Sequence, residues 1–129
     1  MAVGFPYSTG DVLTAADMNG LVAFTINAQT GTTYTAASTD TYQVLVTMNN
    51  AAANSFKIPT NATTAFSVGT VITVLQIGAG LTTISAVTSG TTTVLSAGAT
   101  AASPALAQYK SAACIKTATD TWYVVGAVA

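Results

Sequence analysis

The chain contains no histidine, no arginine and no glutamate. Its charged side chains are four Asp and three Lys, 5% of 129 residues. Proton transfer at neutral pH relies on His or on carboxylates with tuned pKa values. A nucleophile likewise needs a base beside it. Neither pairing is visible, so the sequence reads as that of a protein that is not an enzyme. Three Lys give no electrostatic footprint for a phosphate backbone, and a net charge of −1 offers no attraction to an anionic membrane. Nucleic acid and membrane are therefore not expected as partners. Little like-charge repulsion keeps copies apart, which suits a chain that covers much of its surface with neighbours.

Other scarcities narrow the class further. One Cys, Cys114, excludes an intrachain disulfide. With no His to activate it, it reads as a small core hydrophobe. Half the residues are hydrophobic and mean hydropathy is +0.55. Even so, no run approaches the roughly 18 apolar residues of a membrane helix. The longest candidate, Val71 to Leu81, is broken by Thr73, Gln76, Gly78 and Gly80. The N-terminus has neither a basic region nor an apolar h-region, the pattern expected of a chain made in the cytoplasm.

What is present is Ala and Thr in equal number, with much Val and Gly. Thr and Val suit the pleated, half-buried surface of a strand. From Phe24 onward, alternating segments and turn signals recur at the spacing of sandwiches and barrels. The pattern predicts strands near 24–28, 32–36, 41–48, 54–58, 70–77, 81–86, 91–96, 109–117 and 121–128. In 41–48, Tyr42, Val44, Val46 and Met48 share one face; Leu45 falls on the other, so both faces are expected to be partly covered. The last two strands read as a hairpin turning through Ala118-Thr119-Asp120, with Lys110 and Lys116 on one face and Tyr109, Ala113 and Ile115 opposite. Residues 1–23 differ. An extended arm precedes Thr14-Ala15-Ala16-Asp17, which has capping-box spacing, and Gly20 follows as a C′ residue; this predicts a short helix over about 14–19. The expected architecture is all-β: an antiparallel β-sandwich (jelly-roll or Ig-like) over 24–129, with an extended N-terminal arm and short helical turn over 1–23.

The chemical constellations fail one by one. Asp11 and Asp17 sit in the arm, whereas Asp40 and Asp120 fall at turns where Asp bonds local amides. Calcium needs six or more clustered oxygens, and zinc needs His or Cys ligands, so no metal or other cofactor is expected. Gly78-Ala79-Gly80 is too short for a phosphate loop, with no helix after it and no Lys nearby. Carbohydrate is the stronger candidate, because Tyr34, Tyr42, Tyr109, Trp122 and Tyr123 could offer stacking faces; Tyr42 and Trp122 read in preference as core residues. Neighbouring strand residues point oppositely, so Trp122 and Tyr123 cannot share a face.

Several motifs resemble those of tailed-phage virion proteins. Thr9-Gly10-Asp11-Val12-Leu13-Thr14-Ala15-Ala16-Asp17-Met18-Asn19 is similar to a G-x-V-L-T-A-A-D-x-N segment near the start of small tail and fibre components. Gly69-Thr70-Val71-Ile72-Thr73-Val74-Leu75-Gln76-Ile77-Gly78-Ala79-Gly80, followed by Leu81-Thr82-Thr83-Ile84, resembles a module of phage fibre and head-surface proteins. Lys116-Thr117 and Thr121-Trp122-Tyr123-Val124-Val125-Gly126 look like its closing hairpin. The resemblance implies a β-sandwich virion protein, commonly trimeric and without cofactor, assembled in a host cytoplasm. The lack of a repetitive shaft or separate tip domain favours a capsid decoration (cement) protein bound to the major capsid protein. The alternative is a fibre module that recognises a host-surface glycan. Anchoring is expected of the arm, through Val3, Phe5, Pro6, Tyr7, Val12, Leu13 and Met18.

Overall fold

The computed structural model describes residues 15, 23–97 and 103–129. Its strands are β1 (Thr25–Gln29), β2 (Thr33–Thr35), β3 (Val44–Met48), β4 (Asn54–Ile58), β5 (Val71–Gln76), β6 (Thr82–Ala86), β7 (Thr93–Leu95), β8 (Ala105–Leu106), β9 (Ser111–Ala118) and β10 (Thr121–Gly126), with one 3-10 turn, Ser38–Asp40. Nine of the ten strands lie where alternation predicts them. The two-residue β8 lies in a stretch of small residues that carries no periodic signal. The fold is all-β, built on two sheets ordered β1-β3-β5-β9-β10-β7 and β2-β4-β6-β8.

Strand direction departs from the antiparallel, jelly-roll or Ig-like expectation. β1, β3 and β5 run parallel in the first sheet, and β2, β4 and β6 run parallel in the second. β7 also lies parallel to β10, while β5–β9, β9–β10 and β6–β8 are antiparallel. Up to β6, successive strands therefore alternate between sheets, and the chain winds as coils of a two-sheeted solenoid. What reads in sequence as a hairpin turn after β1, β3 or β5 is a corner between sheets. Alternation cannot distinguish the two, because its period is the same for either strand direction.

Coils stack residue on like residue, and the stacks make the core. In the first sheet Asn27, Val46, Val74 and Ala112 form one inward row, and Ile72, Cys114 and Val124 another. In the second, Tyr34, Phe56 and Ile84 stack inward, as do Asn54, Thr82 and Leu106. One hydrophobic cluster draws Val46, Met48, Phe56, Ile58, Ile84, Leu106 and Trp122 together from both sheets. Phe66 meets Trp122 edge-on, ring centres 5.5 Å apart at 89°, a geometry that contributes about 0.5–1.5 kcal/mol beyond area burial.

The corners set the stacking distance. Gly80 N–H donates to Asn50 O at 2.9 Å, Ile77 N–H to Met48 O at 2.8 Å, and Asn50 Nδ2 to Thr30 O at 2.9 Å. A Cβ on Gly78 would come within 2.4 Å of Asn50 N, and one on Gly80 within 2.0 Å of Ala52 O. Both glycines are required by this close approach of backbone to backbone. Gln76, fully buried, fills the inside of the corner: Nε2 donates to Gly80 O and Thr82 Oγ1, and Oε1 accepts from Gly78 N–H. Thr82 passes its own proton to Asn54 Oδ1.

Ala15 is exposed in helical backbone, inside the segment expected to be helical; the other residues of that segment, and those of the expected arm, lie outside the described residues. Gly80→Ala should lower stability by about 1–3 kcal/mol, the usual cost of forcing an extra carbon into a packed site. Urea unfolding measures this, and an unchanged midpoint would mean the corners are not in contact.

Candidate functional site

The outward face of the six-stranded sheet is the most unusual surface of the molecule. Side chains paired in register point the same way, which generates three rows across the sheet. Ile26, Leu45, Thr73, Ala113 and Val125 make the first; Val71, Ile115, Tyr123 and Leu95 make the second; Ala28, Thr47, Leu75 and Ser111 make the third. Ile26, Val71, Tyr123 and Val125 are between 43% and 55% exposed. No outward strand position carries a charge: Lys116, the one charged residue on these strands, points into the core and is 2% exposed. The second face glimpsed in Leu45 is thus an uncharged, largely apolar surface interrupted by Thr47, Thr73 and Ser111, not an isolated irregularity.

Two polar networks lie apart from that face. Asp40, 1% exposed, accepts from Tyr34 Oη at 2.5 Å, Asn27 Nδ2 at 2.8 Å and Ala37 N–H at 2.9 Å. Burial, then the hydrogen bond to the Asp40 carboxylate and its charge, push the Tyr34 hydroxyl up to about 12; the Asn27 hydrogen bond opposes this. Lys116 Nζ donates to Asn61 Oδ1 and to Phe66 O, both at 2.6 Å. Asp120, at positive φ in the β9–β10 turn, accepts from Asn61 N–H at 2.7 Å and Thr92 Oγ1 at 3.0 Å. Asp40 therefore bonds a local backbone amide as expected, whereas the Asp120 carboxylate bonds Asn61 and Thr92, both distant in sequence.

Open grooves flank the sheets. One of about 500 Å³ is lined by Tyr42 and Phe66 with the hydroxyls of Ser38, Thr41, Ser67 and Thr70. Another of about 490 Å³ runs past Lys57, Ser85, Thr92 and Val94; Lys57 Nζ there donates to Ser85 Oγ at 2.8 Å. Among the described residues, no three of His, Cys, Asp and Glu are grouped to hold a metal ion. Among the same residues, no helix is long and apolar enough to cross a membrane. Compared with protein-family models, curated proteins and solved structures, the chain matches none.

The residues singled out in sequence fall into three groups. The arm residues Val3, Phe5, Pro6, Tyr7, Val12, Leu13 and Met18 lie outside the described residues, as do Asp11 and Asp17. Trp122 is core at 1% exposure, with its neighbour Tyr123 on the opposite face. Cys114 is fully buried, and burial raises its thiol to about 12. Three expectations need correction. Tyr42 precedes β3 and is exposed, so it is not a core residue. Tyr34 spends its hydroxyl on Asp40 and packs on Phe56, ring centres 6.0 Å apart, so it is not a free stacking face. Lys110 and Lys116 do not share a face: Lys110 precedes β9 and is exposed, whereas Lys116 is enclosed. The outward rows were missed because they are invisible until register is known.

The raised Tyr34 pKa gives a signed prediction. The folded state holds the phenol protonated while the unfolded state ionises near 10. Its contribution is therefore intact below pH 10 and declines as pH rises from 10 towards 12. Tyrosinate absorbance of the folded chain should show one late-titrating group, absent in Tyr34→Phe. Indistinguishable titrations of the two proteins would contradict it.

Proposed function

We propose that this chain is a non-enzymatic structural protein of a virion surface, a capsid decoration (cement) protein that binds the outside of a phage shell and stabilises it. The observation that carries the reading is the uncharged outward face of the six-stranded sheet. Parallel strands with apolar residues on both faces belong to sheets that are covered on both sides, and extended apolar patches mark interaction surfaces. Here the two sheets serve as the faces of a sandwich, and the outer rows are packed by copies of the same chain in a closed homotrimer. The arm, with Val3, Phe5, Pro6, Tyr7, Val12, Leu13 and Met18, reaches the major capsid protein. Its ordering cost is offset by apolar burial repeated over many copies. The phage-like motifs support the same reading.

A second reading is favoured by the groove at Tyr42, where an exposed aromatic ring stands beside four hydroxyl side chains. That combination suits a sugar, with the ring stacking and the hydroxyls bonding, in a fibre module that recognises a host-surface glycan. Under this reading Tyr42→Ala abolishes binding on a glycan array while leaving assembly unchanged.

Ile115→Lys places a charge at the centre of the outer face without touching the inner core. The wild-type chain should sediment as an oligomer and the variant as a monomer with an unaltered far-ultraviolet spectrum. Wild-type protein that stays monomeric at every concentration refutes the interface. Copies per purified particle separate the two readings, a number comparable with the capsid subunits favouring decoration.

A further inference from the structure

We propose that Lys116 and Asn61 become joined by an intramolecular isopeptide bond. Lys116 lies on the inward side of β9, level with Trp122 of β10, and is 2% exposed. Its Nζ stands 2.6 Å from Asn61 Oδ1, 55 residues away in sequence. The amide carbon Cγ is no further from Nζ than this contact plus one C=O bond of about 1.2 Å, close to the ~3–3.5 Å of a near-attack geometry. Both partners are held. Phe66 O accepts from the same Nζ at 2.6 Å, and Phe66 itself is fixed edge-on against Trp122. Asn61 is anchored through its backbone N–H by Asp120, whose carboxylate oxygen also receives Thr92 Oγ1.

The reaction balances with no added reagent. Lys116 reacts as the free amine: the Nζ lone pair attacks Cγ of Asn61, the Nζ–Cγ bond forms and the Cγ–Nδ2 bond breaks. One Nζ proton passes to the departing nitrogen, which leaves as ammonia. One N–H remains on the new amide, and nothing is oxidised or reduced. Enclosure suits this exchange, because it holds the amine against the Asn61 and Phe66 carbonyls and limits the water that would compete for it. The product ties β9, and with it the closing hairpin, to the loop after Pro59. A chain with a single Cys has no disulfide to make such a tie, and an amide also survives a reducing compartment.

Intact mass of the folded full chain tests this directly. The expected result is a mass about 17 Da below that of the sequence, the loss of one ammonia. Proteolysis should then yield a branched peptide containing both Asn61 and Lys116. In Lys116→Arg, which keeps the charge, the full mass should return. A folded wild-type chain at full mass overturns the proposal, and this needs no variant to fold. So does a mass loss that persists in Lys116→Arg without a branched peptide, since that marks ring closure of an asparagine onto its own backbone.

Discussion

The buried amide of Gln76 is the constraint on which the two-sheet arrangement depends. A chain passing from one sheet to the other must expose backbone polar groups at the corner, and burying them unpaired costs about 1–3 kcal/mol each. Gln76 satisfies Gly80 O and Gly78 N–H from inside, and Thr82 carries the network on to Asn54 in the coil below. Asn54 in turn donates to Ala52 O. Because Gly78 and Gly80 lack a Cβ, this corner lies directly on the backbone of Asn50 and Ala52. The spacing of coils at the corner then fixes the parallel register of both sheets. Side-chain amides and hydroxyls, not extra hydrophobic bulk, thus decide which strand lies beside which.

Stacked coils leave open ends, and the C-terminal third of the chain deals with one of them. Continuing the parallel stack would leave β5 and β6 with bare edges, the usual site of unwanted pairing. β9 instead runs antiparallel along β5, and β10 folds back along β9. After Gly126 the chain crosses to the second sheet, where Ala129 exchanges both backbone hydrogen bonds with Ala105 of β8. The short β8 edge is therefore itself paired. The Lys116, Asn61 and Asp120 network sits where this hairpin meets the loop after Pro59, so the closing hairpin is fastened to earlier coils by hydrogen bonds as well as by Trp122.

Which residues form strands was legible from alternation and turn residues, because both signals are local. The partner of each strand was not. Gln29 to Thr33 and Met48 to Asn54 have the length and composition of hairpin turns, yet each is a corner. The distinguishing feature was present in Gln76-Ile77-Gly78-Ala79-Gly80: a polar residue on the inward phase of an apolar strand, followed by two glycines. Its meaning depends on Asn50 and Ala52, which lie a coil earlier, and no local pattern reports that contact. Lys116 shows the same limit. Its alternation phase put it with a face, but the acceptors that make an inward lysine tolerable come from Asn61 and Phe66. The outer apolar rows were foreshadowed by Leu45 alone. The arm residues from Val3 to Met18, on which the anchoring expectation rests, lie outside the described residues.

Scarcity of charge and the apolar outer face are two views of one property. Of the charged side chains described, Asp40 and Lys116 are committed to buried hydrogen bonds and Asp120 to Asn61 and Thr92. That leaves Lys57, itself bonded to Ser85, and Lys110 to present charge outward. Two outward lysines among the described residues generate little field beyond a Debye length of about 8 Å at physiological salt. Long-range steering therefore contributes little to how this molecule meets a partner. In the assembly proposed above, discrimination falls to short-range shape and apolar contact, the terms that the rows from Ile26 to Val125 and from Val71 to Leu95 would supply. A surface of this kind would be a liability for a dilute, solitary molecule, since nothing repels a second copy. In an assembly it becomes the source of cohesion, because the same row that is costly to expose is stabilising once covered.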